Sequence, residues 1–209
     1  TWNCGSNWFR KMPEQLRFVK KQGKEILSLA TDFAKLRIAV FRDFPYLYEG
    51  SMEYELEYIR TYASCEDAFV FAVYHGDQMV GATTCVPLKY ETQNVQQPFL
   101  EQNYDIDSIF YFGESVLLKP YRGRGLGHRF FDERETYARS FGTYSIAVFC
   151  SVNRDENHLL QPVDYIPNDR FWTKRKYTKH PELTCEMRWQ DIDEKQESLK
   201  TLTFWLNHL

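Results

Sequence analysis

Three glycines alternate in Pro120-Tyr121-Arg122-Gly123-Arg124-Gly125-Leu126-Gly127, between a strand-like stretch and a helix-like one. Glycine removes the side chain where a chain turns sharply, so the backbone can approach a ligand closely. A helix opens directly after the turn. Its first N–H groups therefore point outward at the positive end of the helix, which makes an anion site suited to phosphate or pyrophosphate. A P-loop needs Gly-Lys-Ser/Thr after its glycines, and here His128-Arg129 follow Gly127, so that pattern fails. A dinucleotide fingerprint needs a third glycine where the series from Gly123 and Gly125 has His128, and it belongs to an opening βαβ unit. What remains is Arg-x-x-Gly-x-Gly, from Arg122 to Gly127, between a strand and a helix.

A second chemical feature is the segment 45–62, where tyrosines interleave with glutamates. Tyr46, Tyr48 and Glu49 can bind a cationic amine through a carboxylate and ring faces; the alternative is helix packing with an acidic surface. Arg170, Lys174, Arg175, Lys176 and Lys179 form a basic cluster that reads either as a phosphate contact or as a solvated helix face. The five histidines show no metal-ligand spacing, so no metal is expected. The five cysteines are scattered, with no CxxC pair, as expected of free thiols in a reducing cytoplasm.

The elements that must position these residues follow from periodicity. Residues 1–14 read as an N-terminal arm and 15–209 as one domain. A first strand is expected over 15–19. Apolar residues recur at helical spacing from Ile26 to Phe44, predicting an amphipathic helix over 24–44 ended by Pro45. A second helix starts at Ser51. The runs 68–74 and 78–88 flank His75-Gly76-Asp77 and predict a hairpin. Residues 89–108 are a long polar connection with room for a short helix. A strand over 109–118 carries Gly113, which suggests a bulge. The glycine loop, a helix ending at Gly142, a strand over 144–152, a polar loop, a short helix over 168–177 and strands over 182–190 and 201–206 complete the order. The fold class is α/β, with a mixed, mostly antiparallel sheet of about six to seven strands and helices on both faces.

Hydrophobic residues at 43% and charged residues at 26% of 209 exclude bulk disorder. A net charge of −3 argues against a nucleic-acid binder. No apolar run approaches the roughly 20 residues of a membrane span, and the first residues lack the apolar core of a signal peptide. The expectation is a cytoplasmic protein without a nucleic-acid or membrane partner.

The stretch VLLKPYRGRGLGHRFFDERE, with Arg-x-x-Gly-x-Gly and Pro120 two residues before Arg122, resembles the signature of the GNAT superfamily of acyl-CoA-dependent N-acyltransferases. The order of elements over about residues 15–206 is similar to that family's as well. The resemblance implies a splayed central parallel strand pair, formed by 109–118 and 144–152, that admits acetyl-CoA. Arg122, Gly123, Arg124, Gly125, Leu126, Gly127 and His128 would form the pyrophosphate loop. Val116, Leu117 and Leu118 would bind the pantetheine arm by main chain and supply an N–H for the thioester oxygen. Asn153 or Asn157 would contact the pantetheine, and Asn153 is counted among the cofactor-binding residues. Glu114, just after the expected bulge, would be the general base. Tyr46, Tyr48 and Glu49 fall where the family builds its acceptor pocket. The implied activity is transfer of an acetyl or other acyl group from its CoA thioester to the primary amine of a small molecule or peptide, by a monomer or homodimer. The family's Phe-Tyr-Glu-Lys-x-Gly-Phe run, whose Tyr protonates the leaving thiolate, corresponds to Phe171-Trp172-Thr173-Lys174-Arg175-Lys176-Tyr177. Trp172 cannot be that acid, Tyr177 and Tyr165 are possible substitutes, and a CoA thiolate can also leave unaided. A non-catalytic acyl-CoA-binding or sensing domain is therefore the alternative.

Overall fold

The computed structural model describes residues 15–209, so the expected arm over 1–14 lies outside the described residues. A single eight-stranded sheet runs in the order β1-β2-β3-β4-β6-β8-β7, with β5 also paired to β3. β1 (Arg17–Gln22) lies antiparallel to β2 (Phe69–His75), which turns through Gly76 into β3 (Gln78–Pro87). Gly76 has φ +58°, a left-handed value that glycine adopts without a Cβ penalty. At the far side, β6 (Ile146–Val152) pairs with β8 (Ser198–His208), and β8 with β7 (Thr178–Trp189).

The helix expected over 24–44 is shorter. It begins as a 3-10 turn over Gly23–Leu29 and becomes α1 only over Ala30–Phe41. In the 3-10 turn, Ser28 Oγ donates to the Glu25 carbonyl at 2.7 Å, a local bond that competes with the helical ladder. At the other end the Phe41 carbonyl accepts from the Tyr48 N–H at 2.8 Å, which folds the following residues back. α2 (Met52–Ala63) is capped by Ser51 Oγ, which accepts from the Tyr54 N–H at 3.3 Å. α3 (Gln93–Glu101) is the short helix expected in the long connection. Residues of α1, α2 and α3 pack into one apolar cluster on one face of the sheet. Those of α4 (Leu126–Ser140) and α5 (Asp169–Lys174) join a second cluster on the other face.

The strand expected over 109–118 is two strands, which raises the count to eight. β4 (Ile109–Tyr111) and β5 (Ser115–Leu117) both pair with β3. Gly113 sits in the break. Its N–H donates to the Thr84 carbonyl at 3.2 Å, and a Cβ there would lie 2.6 Å from Thr84 Oγ1, so only glycine fits. On the opposite side β4 runs parallel to β6 as far as Tyr111↔Val148, and the Phe112 N–H donates to the Val148 carbonyl at 2.7 Å. Beyond that bond β5 stays with β3 while β6 stays with β8. The one parallel pair of the sheet therefore splays into a wedge. No helix among the described residues is long and apolar enough to cross a membrane.

Candidate functional site

The wedge has one wall of unpaired backbone. The Leu118 N–H donates to Val80 at 2.9 Å, and the Glu114 carbonyl accepts from Thr84 at 3.0 Å, so these groups face β3. Backbone groups of successive residues in a strand point to opposite sides. The N–H groups of Ser115 and Leu117 therefore face the wedge, flanking Val116. Leu118, expected to contribute its main chain, has its N–H committed to the sheet. Asn153 ends the other wall, its Oδ1 accepting from Thr203 Oγ1 at 3.0 Å.

The glycine loop closes the mouth of the wedge. Gly123 and Gly125 have φ +73° and +83°, and nothing lies within 4 Å of a Cβ added at either. Gly125 is the N-cap of α4 and has no side-chain cap bond. The N–H groups of Leu126, Gly127 and His128 thus lack intrahelical partners. Arg122 Nε donates to the Leu117 carbonyl at 3.0 Å, tying the loop to β5, and the Arg124 guanidinium lies over the Tyr121 ring at 5.4 Å. A cavity of about 290 Å³ between the end of α1 and the loop is lined by Val40, Asp43, Leu118 and Arg122, among others. The loop, the open helix start and the arginines fit a pyrophosphate, and the wedge fits an extended thiol arm.

At the point of the break lies Glu114, its side chain only 8% exposed. Its Oε2 is 2.5 Å from Arg37 Nη1 and accepts from the Tyr58 hydroxyl at 3.3 Å, while its buried Oε1 has no hydrogen-bond partner. Arg37 Nε also bonds the fully buried Glu55, and its guanidinium lies 4.3 Å over the Tyr58 ring. Burial alone would lower the pKa of Arg37. The charges of Glu114, Tyr58 and Glu55 outweigh it and hold the guanidinium well above its ordinary range. One cation thus serves two buried carboxylates.

Tyr46 packs on Phe41, whose ring lies under the Arg37 guanidinium, and Tyr48 packs on Tyr54 of α2, whereas Glu49 stays at the surface. Burial, with the Cys150 and Glu114 charges adding, pushes the Tyr46 hydroxyl far up. Burial, with the Glu55 charge adding, likewise raises Tyr48. Glu49 is exposed and paired with Arg42 at 2.8 Å. The loop carrying them is pinned by Arg154, a residue that sequence reasoning passed over. Arg154 donates to the carbonyls of Pro45 and Tyr46, both at 2.6 Å, and pairs with Asp191 at 2.5 Å. No spacing in the sequence links residues 45, 154 and 191.

Trp172 stands where the resemblance expects a tyrosine and packs on Phe149 and Trp205, with centroids 5.0 and 5.1 Å away. Tyr177 is core: it is 1% exposed and donates to Glu135 at 3.2 Å. Tyr165 packs edge-on against Phe44. Lys176, at the position of the family's glycine, has φ +68°. A left-handed backbone costs a side chain about 1–2 kcal/mol, while glycine gives back about 0.5–1 through chain entropy. Lys176→Gly is accordingly expected to raise stability by about 0.5–1 kcal/mol in urea unfolding; a loss of stability would show that the Lys176 side chain contributes contacts of its own. Among the described residues no cluster of three or more His, Cys, Asp or Glu can hold a metal ion.

Several solved structures share this architecture. A ribosomal-protein-alanine N-acetyltransferase from Brucella melitensis superposes with a TM-score of 0.58 at 9% identity, covering 91% of this chain and 99% of its own. A Salmonella typhimurium protein solved with its cofactor acetyl-CoA gives 0.56 at 9%, covering 92% and 94%. A Drosophila melanogaster polyamine N-acetyltransferase, which forms N-acetylagmatine, gives 0.56 at 12%, covering 92% and 100%. No curated protein matches the chain in sequence. The sequence model of the acetyltransferase (GNAT) family matches residues 33–161, a span that holds all but the first turn of α1, the hairpin, the broken strand, the glycine loop and β6. On that match, over more than half its length, the chain belongs to the GNAT family of acetyltransferases.

Proposed function

We propose that this protein transfers an acetyl group from acetyl-CoA to a primary amine by direct attack within a ternary complex. The observation that carries the reading is the splayed β4–β6 pair with the glycine loop across its mouth. The N–H groups from Arg124 to His128 hold the pyrophosphate, and the Arg122 and Arg124 charges assist. Ser115 and Leu117 hydrogen-bond the pantetheine as an added strand would, and Val116 lies between them. Acetyl-CoA, when bound, supplies the reactive thioester. A wedge-facing N–H of β5 stabilises charge developing on the thioester oxygen. The buried carboxylates beside the break, with Tyr46 and Tyr58, receive the acceptor ammonium. The acetyl-CoA bound by the Salmonella protein and the N-acetylated product of the Drosophila enzyme support the same assignment.

Trp172 and the core position of Tyr177 favour a second reading, a non-catalytic acyl-CoA sensor. Turnover separates the two. CoA binding by calorimetry, followed by acetyl-CoA-dependent thiol release across polyamines, arylalkylamines and peptide N-termini, is expected to show both binding and release. Binding without release on any amine would establish the sensor. Absence of binding would reject both.

A further inference from the structure

Two buried carboxylates share one guanidinium at the strand break, and that sharing makes the two oxygens of Glu114 unlike. Oε2 lies 2.5 Å from Arg37 Nη1 and accepts from the Tyr58 hydroxyl at 3.3 Å. Oε1 is buried and has no partner. A buried carboxylate oxygen without a hydrogen bond is costly, and a ligand N–H that reaches it recovers the cost. The chain fixes where that oxygen belongs. The Glu114 N–H donates to Thr84 Oγ1 at 3.2 Å and its carbonyl accepts from the Thr84 N–H at 3.0 Å, which locks its backbone to β3. The next residue, Ser115, turns its N–H to the wedge, and consecutive Cα atoms are about 3.8 Å apart. The unpartnered oxygen therefore sits on the residue that begins the wedge wall.

Arg37 is itself held from several sides. Its Nε bonds the fully buried Glu55 of α2, and its guanidinium lies over the rings of Tyr58 and Phe41 at 4.3 and 5.1 Å. A planar fork clamped in this way cannot follow Glu114 to a second position. The other titratable groups that act on Glu114 are Tyr58 and Tyr62 of α2, Tyr46 of the loop after α1 and Glu91 beyond β3, and none of them is a cation. Among the described residues Arg37 is thus the cation paired with Glu114. A proton on Oε1 leaves both contacts of Oε2 in place, whereas a proton on Oε2 would break them and leave a buried guanidinium undercompensated. We propose that Arg37 is the positioning residue of the reaction: by holding Glu114 through Oε2 it presents Oε1 as the oxygen that takes a proton from the acceptor ammonium. The assignment rests on the acyl-transfer reading above.

In this step the acceptor enters as an ammonium and one of its N–H groups meets Glu114 Oε1. That proton passes to Oε1 and frees the nitrogen lone pair. The C–N bond forms as the C–S bond breaks. The second proton lost from nitrogen ends on sulphur, giving the amide and the CoA thiol. Glu114 gives its proton to the water that enters as the products leave. The Arg37 guanidinium stays beside Oε2 throughout, so the carboxylate keeps one orientation through the cycle. Holding a reacting group in one geometry is itself a large part of a rate enhancement.

The test compares wild type, Arg37→Met, Arg37→Lys and Glu55→Gln with acetyl-CoA and whichever of spermidine, tyramine or an alanyl peptide wild type accepts. Calorimetry of CoA binding runs alongside, and the affinity is expected to hold in all three variants. Arg37→Met should lose about 10²-fold in kcat/KM at pH 7. The rising limb of its kcat profile should move to higher pH, since a carboxylate that loses its cation holds a proton more tightly. Arg37→Lys restores the charge but not the fork, so its limb should return toward wild type while KM for the amine stays raised. Glu55→Gln leaves the guanidinium to Glu114 alone, and its limb should move to lower pH. This variant keeps Arg37 and nearly the shape of the replaced side chain, so the comparison stands even where Arg37→Met does not fold. The carboxyl ¹³C titration of Glu114, identified by its absence from Glu114→Gln, should shift in the same directions. An arginine that only holds the fold would lower rates without moving the limb. A wild type that binds CoA yet acetylates no amine overturns the acyl-transfer reading and the assignment with it. A wild type that turns over while the Glu55→Gln limb stays in place, or while Arg37→Met keeps its rate and its limb, overturns the assignment alone.

Discussion

Replacing Arg37 by leucine is expected to destabilise the fold by about 3–5 kcal/mol, the usual cost of removing one partner from a buried ion pair. The magnitude follows from the arrangement. Glu55 is fully buried, the Glu114 side chain nearly so, and the single Arg37 guanidinium contacts both. Without it, two carboxylates face each other across a site with little water. They must then either stay ionised at a Coulombic and desolvation cost or take up protons. The sign of the pH dependence follows. Uncompensated carboxylates bind protons more tightly in the folded than in the unfolded chain, so the stability of the variant should fall as pH rises through the carboxylate range toward neutrality. The loss relative to wild type is thus larger at pH 8 than at pH 5. Urea unfolding at both values measures it, and Arg37→Leu combined with Glu55→Leu should recover part of the loss. A cost under about 1 kcal/mol at pH 8 would mean that the triad is solvated rather than buried.

Gly125→Asp is expected to weaken CoA binding by more than tenfold, about 1.4 kcal/mol, with an unchanged circular dichroism spectrum. Gly125 caps α4 with φ +83°, and the space in front of its Cα is open, so no packing is lost on substitution. What changes is the field. A carboxylate would stand where the first turn of α4 presents its N–H groups, could cap them itself, and would repel the pyrophosphate. Gly125→Ala separates the two contributions, because it keeps the left-handed strain and adds no charge. Calorimetry with CoA should place the alanine variant between wild type and aspartate. Equal affinity for wild type and the aspartate variant would remove the loop from the binding site.

The two expectations differ in how far the sequence supports them. Glycines 123, 125 and 127 are a local signal, with a strand before and a helix after within about ten residues; Gly123 and Gly125 take positive φ in the turn, and Gly127 lies in the first turn of α4. The hairpin at Gly76, the periodicity of α1 and the alternation in β7 are local in the same sense, since each depends on the spacing of residues along one element. Gly113 marked the break in the central strand. That the break would split β4 from β5 and open the wedge was decided by Phe112 bonding to Val148 on one side while Glu114 bonds to Thr84 on the other.

Of the electrostatic centre the sequence singled out Glu114 and not the residues that hold it. Arg37 lies on a helix where a solvated face is the ordinary reading of an arginine, and Glu55 lies among the other glutamates of α2. Glu91 belongs to a polar connection without periodicity, and Arg154 to a loop. Arg37, Glu55 and Arg154 acquire roles only because α1 and α2 pack on the same face of the sheet and Arg154 reaches Asp191 across the fold. Residues 37, 55 and 114 lie on α1, on α2 and in the break between β4 and β5. The strength of a charge pair depends on separation in space and on burial, and neither is written in the spacing of residues along the chain. The sequence by itself therefore determined the anion loop, the element order and the family. The tertiary structure alone decided which carboxylates share the Arg37 guanidinium.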